Sequence, residues 1–266
     1  MLCVGPLKRL LLAFVLATAL AACASTPKPE TSTTSNTNAA DEVNDPIEPF
    51  NRYIFEVNKF FDELFLKPLA TIYRGVLPDP VQTGIHNVLN NLDTPLTFIH
   101  DLAQGEPERA GDSFGRFGMN TLIGVGGIFD VAAGEPGKDG IPHHKEDLGQ
   151  TLAVWGVPDG PYLVLPFLGP SNARDAVGIV GDFFIDPFAH IGSRDTQKKV
   201  MLSRMVFRTL DFRSRNIETL EEIERASIDY YASIRSLYRQ RRRAEILNGQ
   251  VDEDSVPDIS IDEEDE

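Results

Sequence analysis

Gly111-Asp112-Ser113 matches the nucleophile motif of one esterase family, in which the serine follows a strand near the N-terminus and an Asp-x-x-His partner comes late. Here the motif falls inside a predicted helix, and none of the five histidines has Asp three residues before it. No Gly-x-Ser-x-Gly elbow occurs either, so hydrolysis at Ser113 is not expected. His143-His144 beside Glu146 and Asp147 supplies metal-ligating types, but adjacent histidines seldom converge on one ion. A polar loop is the expectation there, and no metal is assigned. Gly124-Val125-Gly126-Gly127 lacks the spacing and strand context of a dinucleotide loop, no phosphate-cradling P-loop occurs, and no cofactor is expected. Arg239 to Arg243 (RQRRR) could meet nucleic acid, but a formal net charge of -15 argues against it. A solvated helix face or contact with phosphate headgroups fits that run better. No enzymatic activity is expected.

Covalent chemistry is expected at one cysteine. Residues 1–22 read as an export signal: Lys8 and Arg9 form a basic n-region, and Leu10 to Leu20 form an apolar h-region too short to span a bilayer. Leu20-Ala21-Ala22-Cys23 has the form of a bacterial lipoprotein box, whose cysteine is lipidated and becomes the mature N-terminus. Loss of Cys3 with the signal leaves Cys23 as the lone thiol, so no intramolecular disulfide is expected. Each buried methylene of an acyl chain contributes about 0.8 kcal/mol, and several chains hold a protein essentially permanently. Ala24 after the cysteine, rather than Asp, points to the outer membrane. Residues 23–44, rich in Ser, Thr, Asn and Pro, read as an acylated flexible tether. Residues 249–266 form an acidic tail whose last sixteen positions carry nine acids and no base. Between them, residues 45–248 are enough for one well-cored domain.

That domain must be built from helices. Asp45-Pro46-Ile47-Glu48 reads as a helix start with Asp45 as N-cap, followed by Phe50, Ile54, Val57, Phe61, Leu64 and Phe65 at helical spacing. Asp79-Pro80, Thr94-Pro95 and Glu106-Pro107 each read as a further start. Ser171, Asp195 and Ser227 are expected to cap three later helices. Tyr162 to Leu165 is the best extended segment, fenced by Pro161 and Pro166. The expectation is an all-α fold with Gly/Pro-rich loops. Its apolar stripes either pack against one another or lie in a lipid interface.

Four segments carry a family resemblance: DPIEPFNRYIFEVN (45–58), FGMNTLIGVGGIFDVA (117–132), EDLGQTLAVWGVPDGPYLVLPFLGPSNARD (146–175) and SIDYYASIRSLYRQRR (227–242). In this order behind a lipoprotein box, they resemble the VacJ/MlaA family of outer-membrane lipoproteins over roughly residues 45–245. Residues 134–145 and the acidic tail depart from the family pattern. The resemblance implies a ring of short amphipathic helices around a central channel, held in the periplasmic leaflet of the outer membrane of a Gram-negative bacterium. It implies removal of misplaced phospholipid from the outer leaflet, delivery to a soluble periplasmic phospholipid carrier, and association with a trimeric porin.

On that footing Leu122, Ile123, Val125, Ile128, Phe129 and Val131 are expected to form an apolar wall beside the channel. Gly124, Gly126 and Gly127 would let the backbone turn there, and a packed Gly-containing helix pair is the alternative. Gly134, Gly137 and Gly140 would serve as a hinge altering channel access, or form a passive surface loop. Pro166, Gly169, Pro170, Arg174 and Asp175 are expected to fix architecture. A scaffolding lipoprotein that organises porins without moving lipid remains open as a second function.

Overall fold

The computed structural model describes residues 44–134 and 140–250. Cys23, Gly137 and nearly all of the predicted signal, tether and tail lie outside the described residues. In chain order the elements are α1 (Glu48–Phe61), a π-helical turn (Asp62–Leu66), α2 (Lys67–Val76), α3 (Asp79–Gln104), α4 (Pro107–Leu122) and a 3-10 turn (Val131–Ala133). Then come α5 (Leu148–Val154), the hairpin β1 (Tyr162–Leu165) and β2 (Gly169–Asn172), and α6 (Ala173–Ile185). A 3-10 turn (Pro187–His190), α7 (Arg194–Arg215), α8 (Ile217–Ala226) and α9 (Tyr230–Ile246) complete the fold. It is mostly α, with α3 packed on α4 and α5 on α6.

Helices begin near the predicted punctuation, but the capping residue is often a neighbour. Asp45 does not cap α1. Its carboxylate accepts from Asn51 Nδ2 (2.7 Å), Tyr231 OH (2.5 Å) and Arg235 (2.6 Å), which ties the entry of α1 to α9. Asn172 caps α6 in place of Ser171, because Ser171 is paired in β2 opposite Leu163 and Asn172 is the extended residue that follows. Ser193 caps α7 in place of Asp195, which sits in the first turn and meets the positive end of the helix dipole. Asp229 caps α9, accepting from Ala232 N at 3.1 Å, while the Ser227 hydroxyl donates back to Ile223 O and closes α8.

The predicted start at Thr94-Pro95 is overturned, since α3 runs through Pro95 without a break. The proline removes one N–H from the ladder. Hydroxyls occupy the carbonyls beside it: Thr94 Oγ1 donates to Asn90 O (3.0 Å) and Thr97 Oγ1 to Asp93 O (3.4 Å). The helix ends at Gly105, whose φ of 84° is left-handed.

β1 has its predicted bounds and pairs antiparallel with β2, Tyr162 opposite Asn172 and Leu165 opposite Gly169. Its other edge is covered by two asparagines of α1. Asn51 bonds both Tyr162 O (2.9 Å) and Val164 N (3.0 Å), and Asn58 bonds Leu165 O (2.9 Å) and Phe167 N (2.8 Å). An edge that would invite another strand is closed by side chains. Asp175 at the start of α6 accepts from Asn172 Nδ2 (3.1 Å) and Tyr238 OH (2.5 Å), joining hairpin, α6 and α9.

The apolar core is small: Phe55, Tyr162, Val164 and Tyr231, with Ile54, Tyr230, Ile234 and Tyr238 against it. Elsewhere buried apolar residues are scattered (Ala70, Tyr73, Leu89, Ala110, Ala132 and Ile217), and most buried side chains are polar or charged. The largest fully buried side chains are His100, Gln150, Asn51, Thr151, Asp101, Ser113 and Ser214. The predicted stripe of α1 and its continuation into the π-helical turn largely faces outward: Phe50, Phe61, Leu64 and Phe65 are exposed, as is Phe114 of α4, to 67%. Among the described residues no helix is long and apolar enough to cross a membrane.

Candidate functional site

After Leu122 the chain doubles back onto α3. Three backbone bonds close the turn: Gly126 N to Thr121 O (3.0 Å), Gly127 N to Asn120 O (2.8 Å) and Phe129 N to Gly124 O (3.0 Å). Its far side is locked by Asp130, which accepts two bonds from Arg116 (2.8 and 2.7 Å) and one from Asn120 (2.8 Å). The three glycines do different work. A Cβ on Gly124 would lie 2.2 Å from Phe129 O, so close backbone approach requires glycine. Gly127 has φ 93°, and its Cβ would lie 2.6 Å from Asn91 Cβ on α3. Gly126 has φ 69° but open space around it. The turn also leans on α3 through Asn87 Nδ2, which donates to Ile128 O at 3.1 Å.

Leu122, Ile123, Val125, Ile128, Phe129 and Val131 are all exposed, Leu122 to 84%. Between the turn and α3 lies a depression of about 540 Å³, lined by Asp79, Thr83, Asn87, Ile128, Phe129 and Val131 among others. Gly134 has φ 74°, and a Cβ on Gly140 would collide with Ala133 O. The stems beside these glycines are pinned together: Ile141 N donates to Ala132 O (2.9 Å), and Arg116 donates to Ile141 O.

The structure brings together three residues that the sequence keeps apart. Ser113 Oγ donates to Asp101 Oδ2 (2.6 Å), and His144 Nε2 lies 3.3 Å from Ser113 Oγ and 3.0 Å from Asp101 Oδ1. These are the residue types of a hydrolase triad in the wrong order. A catalytic histidine meets serine through one ring nitrogen and the carboxylate through the other. Here one nitrogen meets both, the serine proton goes directly to the carboxylate, and Ser113 is only 2% exposed. The cluster fastens the loop before α5 to α3 and α4.

Glu146 and Asp147 are each claimed by arginine. Burial pushes the Glu146 carboxyl up, against bonds from Gln104 (2.9 Å) and Arg109 (2.6 Å). Burial also acts to raise Asp147, but two bonds from Arg242 (2.6 and 2.7 Å) and its charge win, holding it at about 2. Among the described residues no group of three or more His, Cys, Asp or Glu could hold a metal ion. The RQRRR run thus splits: Arg242 is buried against Asp147, while Arg241 pairs with Glu245 on the surface at 2.8 Å.

A buried polar stripe along α3 escaped the sequence reading. Asn91, Asp93, Thr94, Thr97, His100 and Asp101 are all buried, and His100 bridges Thr151 (3.0 Å) and Asp182 (2.9 Å). Its signal was available as polar residues recurring at three and four along one helix face.

A family model described as MlaA lipoprotein matches residues 43–245. An uncharacterized protein of Rickettsia bellii is 37% identical over 213 residues, covering 80% of each chain. The intermembrane phospholipid transport system lipoprotein MlaA of Haemophilus influenzae is 31% identical over 256 residues, covering 94% of this chain and 96% of its own. Its Escherichia coli counterpart is 30% identical over 199 residues, 74% and 76% of the two chains. A solved structure that concerns the basis for maintenance of bacterial outer membrane lipid asymmetry matches with a TM-score of 0.67 and 30% identity, covering 76% of this chain and 98% of that one. The chain belongs to the MlaA lipoprotein family.

Proposed function

We propose that this protein is an outer-membrane lipoprotein that removes misplaced phospholipid from the outer leaflet and passes it to a soluble periplasmic carrier, so maintaining lipid asymmetry. The observation that carries this reading is the inverted distribution of polarity: phenylalanines and leucines outside, charged and amide side chains within. Apolar exteriors suit lipid tails. A polar interior lowers the cost of moving a charged headgroup through an apolar zone, where an unpaired charge is expensive and irregular backbone must be shielded. The names of the Haemophilus influenzae and Escherichia coli relatives support the same cargo. No bond is made or broken. Helices arranged around a channel give the headgroup its path, acylated Cys23 holds the body to the periplasmic leaflet, and a trimeric porin positions it. The exposed segment from Leu122 to Val131 forms the apolar wall along which the tails run.

The test is deletion of the gene in its host, with measurement of surface-exposed phospholipid after complementation by wild type or Cys23→Ala. A rise on deletion, reversed by wild type and not by the unlipidated variant, is expected. No rise, with porin assembly disturbed instead, would establish the scaffold.

A further inference from the structure

The depression of about 540 Å³ beside the 122–131 turn has two unlike walls. Along α3, Asp79, Thr83 and Asn87 follow at intervals of four residues, so they stand one above the next on a single helix face. Each brings an acceptor: a carboxylate, a hydroxyl and an amide oxygen. Gly84, buried beside them, lets α3 approach the turn, since a Cβ there would already touch Ile128 Cγ2 at 3.4 Å. The other wall is apolar: Ile128, Phe129 and Val131.

Donors are missing from this cavity. Asn87 Nδ2 is spent on Ile128 O (3.1 Å), and no lysine, arginine or histidine is among the lining residues. Asp130, the second carboxylate of the lining, is matched by Arg116 and Asn120. Asp79 is matched by nothing: among the described residues its carboxylate has neither a hydrogen bond nor an ion pair, and the Thr83 hydroxyl has no partner either. One turn further along the same row, Asn91 Oδ1 is buried with no donor among the described residues. The positive end of α3 offsets part of the Asp79 charge and leaves the rest for a ligand. The volume is that of a small-ligand pocket. One wall calls for donors and positive charge, the other for an apolar body.

We propose that this cavity is a subsite for a primary ammonium carried on an apolar body, the ethanolamine headgroup of a phospholipid. An ammonium has three donors and no acceptor, the complement of Asp79, Thr83 and Asn87. Phe129 adds an aromatic ring, which attracts a cation. A quaternary amine has the charge without the donors, and a glycerol headgroup has no cation. This rests on the phospholipid reading above and deepens it by naming the headgroup class: while the tails run along Leu122 to Val131, the amine rests against α3. A single exposed carboxylate keeps the hold weak enough for release.

The test is calorimetric titration of the full-length lipoprotein in nonionic detergent, against protein-free blanks. The probes are dihexanoylphosphatidylethanolamine below its micelle concentration, its N-acetyl derivative, which keeps phosphate and tails but loses the cation, and ethanolamine. Wild type should bind the amine lipid about fivefold more tightly than the acetylated one, the upper range for an exposed ion pair. Asp79→Asn should abolish that preference and leave the acetylated lipid unchanged, while Thr83→Val should lower it about twofold. Ethanolamine bound with the same Asp79 dependence means the ammonium alone suffices. Ethanolamine unbound while the amine lipid binds assigns the site to the headgroup held by its tails. Equal binding of the two lipids by wild type overturns the subsite whatever the variants do, as does an Asp79→Asn protein of matching thermal melt that keeps the preference. Wild-type clearance of surface phospholipid would then leave the transport reading standing, whereas failure of the wild-type protein to clear lipid overturns transport itself.

Discussion

Asp101 is a buried carboxylate whose partners are a serine hydroxyl and a histidine ring, and Arg109 is the nearest guanidinium at 3.9 Å. Removing the hydroxyl leaves one carboxylate oxygen short of a donor in a place water reaches poorly. Ser113→Ala should therefore cost about 1–2 kcal/mol of unfolding free energy, read by denaturant titration, while surface-phospholipid clearance is unchanged. Lost clearance at full stability would revive chemistry at Ser113. The glycines of the 122–131 turn offer a graded comparison. Gly126→Ala meets only an unfavourable φ and should cost about 1 kcal/mol. Gly127→Ala adds a collision with Asn91 and should cost about 2–3 kcal/mol, so unfolding midpoints should fall in that order.

Helix ends show which elements the sequence makes legible. Proline and acidic punctuation located the starts of α3 and α4, and the fencing prolines located β1, because those signals act within a few residues. The caps slipped by one to two positions because cap geometry depends on which residue is extended, and tertiary pairing decides that. Asp229→Ala should cost about 1–2 kcal/mol through the lost cap, its half-exposed pairing with Arg52 adding little; Ser227→Ala should be nearly neutral. Pro95 misled the reading because buried hydroxyls and packing against α4 override a local breaker. The candidate site was legible only in part. The 122–131 run stood out by its own composition, whereas Ser113, Asp101 and His144 meet across spans that no local pattern encodes.

The pair between Asp147 of α5 and Arg242 of α9 joins two elements far apart in sequence and should make their docking acid-sensitive. The carboxyl is held at about 2 in the fold, below its ordinary 3.8. A depressed folded pKa contributes stability that is complete above the unfolded value and lost as pH falls through the folded one. The window is therefore from about pH 4 to pH 2, with a contribution on the order of 2 kcal/mol. Unfolding free energy measured across that range should fall less steeply in Arg242→Met than in wild type. Parallel slopes would assign the acid response elsewhere.

At the scale of the molecule, the surface and the interior have exchanged roles. A water-exposed protein of this size places its large apolar side chains in a core, and here that core is one aromatic cluster where α1, α9 and the hairpin meet. The charges inside are paired or hydrogen-bonded, which makes a polar interior tolerable. Among the described residues nothing covers the apolar side chains outside, and the proposed contact with lipid would supply that cover. Phe60 on α1 and Phe65 in the π-helical turn are both exposed, each more than half. Burying such a side chain in lipid contributes roughly 1–2 kcal/mol, so Phe60→Ser with Phe65→Ser should weaken vesicle partition about a hundredfold. The measurement is flotation with phosphatidylcholine liposomes in a Cys23→Ala background, where no acyl chain masks the loss. Undiminished flotation would mean that this face meets protein rather than lipid, and the apolar exterior would then have to be explained by a protein partner.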